Sequence, residues 1–496
     1  MTPRNRRTGF AWTAACLAIV ALPAFALQGS DEVDGNKARN LRLVGWNDLQ
    51  ARSAYQVTVH KQGGRYIAYV GHHALGTNPL TGQPLPSYNP LTQQDEPNGT
   101  SLVDVTDPKK PVYLAHIPVG TTGNGGAQMV RVCDGSSLPI HDSKVYMLRN
   151  YGTSAHEVWD TSEPAHPQPV RTVEGGNPIV GNLVGTHKNW WECDTGIAWL
   201  VGRRATDTAD GWAPGNHVMV YDMSDPANPV FLRDWALDGQ QPGGVLPPHF
   251  TSVPAIHGPI STGPSGNRVY FAYGTSSNGV MQIADRSLIL STPANDFTTA
   301  ETGRWVMNPL NGAHTSFPLG PIDIADQVAN KNHVRDFVVV TSEETSNQCT
   351  GSRHLTYFVD ATNEARSMSS ASYQLLESSG HFCDRGGRFG PHATNENFGP
   401  PYYKKVVFIS YFNAGVRAVD VRNPEVPTEI GFYVPDLNAN TDYRCATIDG
   451  QSVCKRAIQT NNVDTDDRGY VYIVDRADSG MHILAPTGQL RTLIGQ

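Results

Sequence analysis

The sequence has little charge, few long apolar runs and no sustained helical periodicity. Only 17% of its 496 residues are Asp, Glu, Lys or Arg. Basic residues are outnumbered, 38 to 46, for a net charge of −8. Without a basic stripe the chain offers no electrostatic footprint for nucleic acid. Amphipathic helices between β-rich runs are missing, which excludes an alternating α/β architecture. Beyond the first 26 residues no apolar run is long enough for a transmembrane helix. There is no G-x-S-x-G elbow or other local nucleophile signature, so Ser-His-Asp hydrolysis finds no support. Cysteine is scarce, at seven residues.

Glycine (48) and proline (35) are abundant, as suits a loop-rich all-β chain. One stretch recurs: an apolar run ending in Asp, a Pro-fixed turn, then a second β-rich run. It reads SLVDVTDPKKPVYLAHIPV at 101–119, HEVWDTSEPAHPQPVRTV at 156–173, HVMVYDMSDPANPVFLRDW at 217–235 and VRAVDVRNPEVPTEIGFYV at 416–434. Weaker copies begin at Met281, Leu355 and Met481. The anchors are Asp104, Asp160, Asp222, Asp285, Asp360 and Asp420, with Ala485 in the seventh copy. Asp capping a turn whose φ Pro presets is structural and needs no chemistry. Spacings of 56 to 75 residues mark an array of supersecondary units. Each period holds about four strand-like runs. The expected fold is a seven-bladed β-propeller of four-stranded antiparallel blades.

The copies VDVTDPKKPV, VYDMSDPANPV and VDVRNPEVPTEIG resemble the LVIVD-repeat proteins, which are bacterial exported propellers. The resemblance covers nearly the whole chain after residue 26 and implies the fold more than any activity.

Residues 1–26 read as a signal peptide. Arg4, Arg6 and Arg7 form a basic start, Ala14 to Leu22 an apolar core, and Ala24-Phe25-Ala26 an A-x-A cleavage site. Removing those three arginines leaves 35 basic and 46 acidic residues, a net −11. Residues 27–54 form a lead-in that could add a ring-closing strand, and 55–496 form the propeller. The mature protein is expected in the periplasm or outside the cell. Asp464 to Gly469 looks like a calcium loop but lacks the downstream Glu, so it reads as a hairpin turn. Six cysteines remain after cleavage, an even number in an oxidising compartment. Of the fifteen pairings, the placement of the residues favours Cys133–Cys193, Cys349–Cys383 and Cys445–Cys454.

The chemistry lies in the histidines. Aligning the first strand of each blade sets Gly185-Thr186-His187, Pro247-Pro248-His249, Gly312-Ala313-His314 and Gly390-Pro391-His392 in register. Gln56, Gln128 and Gln459 take that place in blades one, two and seven. Innermost strands line a propeller's channel, so this register predicts four imidazoles and three amides around one mouth. Imidazole suits transition metals, with copper or iron favoured here and zinc possible. Glu192, Glu343, Glu344 and Glu396 lie near these strands and could orient the ligands. His72, His73 and His257 read as ordinary loop residues. The set of four histidines is similar to the iron site of carotenoid-cleaving oxygenases, and the propeller to selenium-binding proteins of the methanethiol oxidase type, both as fold-level analogies. They imply a metal-dependent oxidoreductase acting on a small molecule. The competing expectation is a non-catalytic propeller whose rim loops, 75–100 and 436–456, dock a protein or surface polymer.

Overall fold

The computed structural model describes residues 37–120, 126–173, 183–245, 254–324 and 333–496. The segment read as a signal peptide, and His249, lie outside the described residues. No described helix is long and apolar enough to cross a membrane.

The strands form seven antiparallel blades in a ring. Blade one is ordered Ala54–Gln62, Arg65–His72, Gly99–Asp104, Val112–Pro118 from the axis outward. Blades two to five repeat this meander in chain order. Blade four starts at Ile256–Ser261, nine residues later than the Pro-Pro-His alignment places it. In blade six the inner strand is irregular: His392 and Asn395 donate main-chain bonds to Ser410 and Phe408. Blade seven takes three strands from the C-terminal part, Thr460–Thr465, Val471–Asp475 and Met481–Pro486. Its outermost strand is Leu41–Asn47 from the start of the chain, which locks the ring.

The repeat has a local cause. Each of the six anchor aspartates ends the third strand of its blade. Asp104, Asp160, Asp222, Asp360 and Asp420 accept the main-chain N–H two residues on, forming Asx turns. In all six blades the third and fourth strands slip register just before the Asp, giving a bulge that sharpens the twist of the outer edge. Ala485 needs no such turn, because blade seven's outer strand comes from the other end of the chain.

The blades are held by what lies between them. Seven buried apolar clusters sit one at each blade-to-blade interface. Between blades three and four, Trp199 and Trp235 pack on Phe271. No blade buries both faces alone, so the ring folds as a unit. The disulfides are Cys133–Cys193, Cys349–Cys383 and Cys445–Cys454. Cys133–Cys193 joins blades two and three. Cys445–Cys454 closes the hairpin Tyr443–Ile448/Gln451–Arg456, whose two cysteines are directly opposed. Three disulfides fit an oxidising compartment. The insertion at 75–100 is tied down by Arg52, which donates to the carbonyls of Ser87 and Glu96 and to Asn98. The acidic stretch Asp464 to Gly469 is the turn into Val471–Asp475: Asp466 accepts from the N–H groups of Arg468 and Tyr470.

Candidate metal centre

Four imidazoles converge on the channel axis at the ends of the innermost strands. His187, His314 and His392 stand just before the strands of blades three, five and six, as their register predicts. The fourth is His257, the second residue of the blade-four strand Ile256–Ser261. His257 is therefore no loop residue, and in blade four it takes the place the alignment gave His249. His314 and His257 rings lie 3.6 Å apart, and His314 and His392 rings 4.2 Å apart. His187 Nε2 and His257 Nε2 are 2.9 Å apart.

The hydroxyl of Tyr55 sits among them, 3.1 Å from His314 Nε2, 3.2 Å from His257 Nε2 and 3.4 Å from His187 Nε2. Tyr55, not Gln56, is blade one's axial residue. Gln56 instead accepts the N–H of Val130 across the blade interface. Gln459 accepts from the N–H of Arg388 and donates to the carbonyl of Ile458. Only Gln128 of the three amides faces an imidazole, that of His73 at 3.1 Å. His73 is half-buried and meets the Tyr55 ring edge-on at 4.9 Å, so it lines the mouth and is not an ordinary loop residue. His72 is fully buried, bonded to Ser101 away from the axis.

Main-chain carbonyls fix the tautomers. His257 Nδ1 lies 2.8 Å from the carbonyl of His314, and His392 Nδ1 lies 2.6 Å from that of Asn461. Each Nδ1 must carry the proton and donate it. Each Nε2 therefore presents a lone pair to the axis. His392 Nε2 is buried with no hydrogen-bond partner among the described residues. Burial, with the charges nearby, holds His257, His314 and His392 well below the ordinary imidazole range, and His187 at about 4. The cluster is neutral at physiological pH, the form that binds metal. Burial likewise raises the Tyr55 phenol.

This donor set could hold a metal ion. Two imidazole nitrogens, each about 2.0–2.1 Å from a shared ion, stand about 2.9–3.4 Å apart for right-angle to tetrahedral geometry. The His187–His257 separation falls in that range. The single proton of Tyr55 cannot satisfy every converging lone pair. A bound cation would remove the remaining repulsion.

The carboxylates divide. Glu343 stands at the cluster, with Oε1 3.8 Å from His392 Nε2, and ligand atoms of Glu343, His314 and His392 all lie within 4.8 Å of one another. Glu192 is elsewhere, bonded to Arg286, Ser261, Thr195 and Trp199 between blades three and four. Glu396 lies one layer along the channel, paired with Lys188 and Arg131. Burial pushes its carboxyl up, but those two cations outweigh it and leave it ionised. Glu344 turns away from the histidines and accepts the N–H of Ser346, its carboxyl raised to about 7 by burial. Thus Glu192 and Glu396 orient no ring histidine.

Exposure differs among these side chains. His257, His314 and His392 are buried, whereas His187, His73 and Gln128 are half-buried. Arg388 and Arg476 stand beside Glu343.

No protein-family model matches this chain, and no curated protein does. Among solved structures it is similar to a hypothetical selenium-binding protein from Sulfolobus tokodaii, at 11% identity and a TM-score of 0.49, covering 87% of this chain and 85% of that one. It is also similar to Sqt1 of Saccharomyces cerevisiae, at 8% identity and a TM-score of 0.45, covering 90% and 99%. Likeness at this level carries nothing about chemistry.

Proposed function

We propose that this chain is an exported propeller of the LVIVD-repeat kind whose axial histidines hold a copper or iron ion for oxidation of a small molecule. The observation that carries the reading is the convergence of His187, His257, His314 and His392, with two Nε2 lone pairs fixed inward by main-chain carbonyls. Such an ion would supply Lewis acidity and one-electron chemistry. The chain's own residues then have definite tasks. The carbonyls of His314 and Asn461 keep two imidazoles in the metal-binding tautomer. Tyr55 holds a neutral hydroxyl within hydrogen-bond reach of three ring nitrogens. Glu343 supplies the negative charge closest to the cluster. Burial of His257, His314 and His392 strengthens the electrostatic contacts among them.

The test is reconstitution of metal-free protein with Cu(II), Fe(II) or Zn(II), followed by reductive titration and oxygen-uptake assays. One equivalent of copper or iron that cycles between oxidation states supports the reading. Zinc alone points to a structural or hydrolytic centre. Failure of all three to bind refutes it.

One observation favours a binding role as the second reading. At the far ends of the innermost strands, away from the histidines, lies a cavity of about 670 Å³ with Trp190, Trp191, Tyr270, Phe398 and Tyr403 in its wall. An aromatic-walled cavity of that size suits a partner or polymer segment.

A further inference from the structure

The mouth beside the histidines carries more guanidinium than it can pair. Arg388 Nη1 donates to Glu343 Oε1 at 2.8 Å. Arg476 Nη1 lies 3.6 Å from that same oxygen and has no hydrogen-bond partner among the described residues. One carboxylate oxygen thus serves two arginines and also faces His392. Arg444 adds a third guanidinium. It donates to the carbonyl of Arg476 at 2.6 Å and lies 3.4 Å from Asp442, and its Nε has no hydrogen-bond partner among the described residues.

These groups are held in place. The guanidiniums of Arg388 and Arg476 both lie over the ring of Phe412, at 5.2 and 5.8 Å from its centroid. Phe412 is fully buried and touches the His392 ring at 5.2 Å. The platform that fixes the arginines therefore also fixes a member of the cluster. Arg388 is anchored further by the carbonyl of Glu344. Arg388 and Arg476 remain 21% and 18% exposed.

We infer that Arg388 and Arg476 form a subsite for the carboxylate of a small organic acid, placing the rest of that molecule against the axial histidines. This rests on the reading of the cluster as a metal centre only for what happens beyond binding. A planar fork with an unused N–H suits a carboxylate's two oxygens, and prepaid orientation on Phe412 reduces the ordering cost. A neutral amide of the same shape offers one acceptor and no charge.

The test uses benzoate and benzamide as probes, titrated calorimetrically into the purified full-length protein with its metal content measured on the same sample. Benzoate is expected to bind at least tenfold more tightly than benzamide, with affinity falling as salt rises. Arg476→Gln should weaken benzoate at least tenfold and leave metal content unchanged, because Arg476 Nη1 has no hydrogen-bond partner among the described residues that the variant would lose. Arg476→Lys, which keeps the charge but not the fork, should fall between, and it decides the matter if the glutamine variant misfolds. Equal binding of the two probes, or benzoate affinity untouched in both variants, overturns the inference. Metal retained without benzoate binding removes the subsite and leaves the metal reading standing. Arginine-dependent benzoate binding to a protein that takes up no metal does the reverse.

Discussion

Removing Glu192 tests the argument that this buried carboxylate is structural. Its side chain is 2% exposed and that of its partner Arg286 is 9% exposed. Arg286 grips it through Nε at 2.9 Å and Nη2 at 2.6 Å, while Ser261, Thr195 and Trp199 donate at 2.5, 2.6 and 2.9 Å. Glu192→Ala leaves a guanidinium buried without its counter-charge, which costs about 3–5 kcal/mol. The unfolding entropy of about 460 residues converts this to a melting point lower by about 3–5 °C. Burial pushes this carboxyl up, but Arg286 and the hydroxyl donors outweigh it and leave it below its ordinary value. A folded carboxyl held below its unfolded value stabilises above the ordinary carboxylate range and loses that contribution as the pH falls. The deficit of the variant should therefore shrink towards acid pH. Thermal unfolding at matched scan rates, at pH 7 and pH 4, measures both effects. The double variant Glu192→Leu/Arg286→Met, which removes the pair together, should recover most of the loss. A single variant melting within about 1 °C of the native protein would refute the reasoning. So would a loss of bound metal in it, since Glu192 touches no ring histidine.

Other outcomes follow from the same contacts. Burial holds His116, His156 and His482 at about 4. Unfolding lets them rise to their ordinary value, so denaturant midpoints should fall as the pH drops from about 6.5 to 4, and a flat profile would count against this. The chain-entropy model makes Cys133–Cys193, spanning 60 residues, worth about 4 kcal/mol, and Cys445–Cys454, spanning 9, about 2.5 kcal/mol. Paired Ser variants compared by denaturation should keep that order. Tyr55→Phe should preserve metal stoichiometry but alter the optical spectrum of the copper form, because the hydroxyl lies within 3.4 Å of three ring nitrogens. An unchanged spectrum would put Tyr55 outside the metal's surroundings.

The fold is readable because its repeat is a local device. An Asp that closes a turn marks where a third strand meets a fourth in five blades, and a Pro that sets φ follows it in four of them; Asp285 instead caps the helix Arg286–Ser291. The site is readable only where strand starts are marked. His187, His314 and His392 follow Thr186, Ala313 and Pro391 at the starts of blades three, five and six. In blade four a second histidine, His249, follows two prolines ahead of the strand and hides His257. Tyr55 left no signal, since nothing in a sequence says that a tyrosine replaces histidine at one position of a ring. The carboxylates misled for a different reason. Nearness along a strand does not set direction, and side chains alternate between faces. Glu192 enters a blade interface, and Glu396, four residues past His392, reaches a different layer of the channel.

Elemental analysis of untagged protein tests the central claim most directly. It should be run on the native chain, on His249→Ala and on His257→Ala/His392→Ala. This account predicts one equivalent of copper or iron in the native chain and in His249→Ala, and none in the double variant. Native protein that stays metal-free after reconstitution, or a double variant that holds as much metal as the native chain, would contradict it.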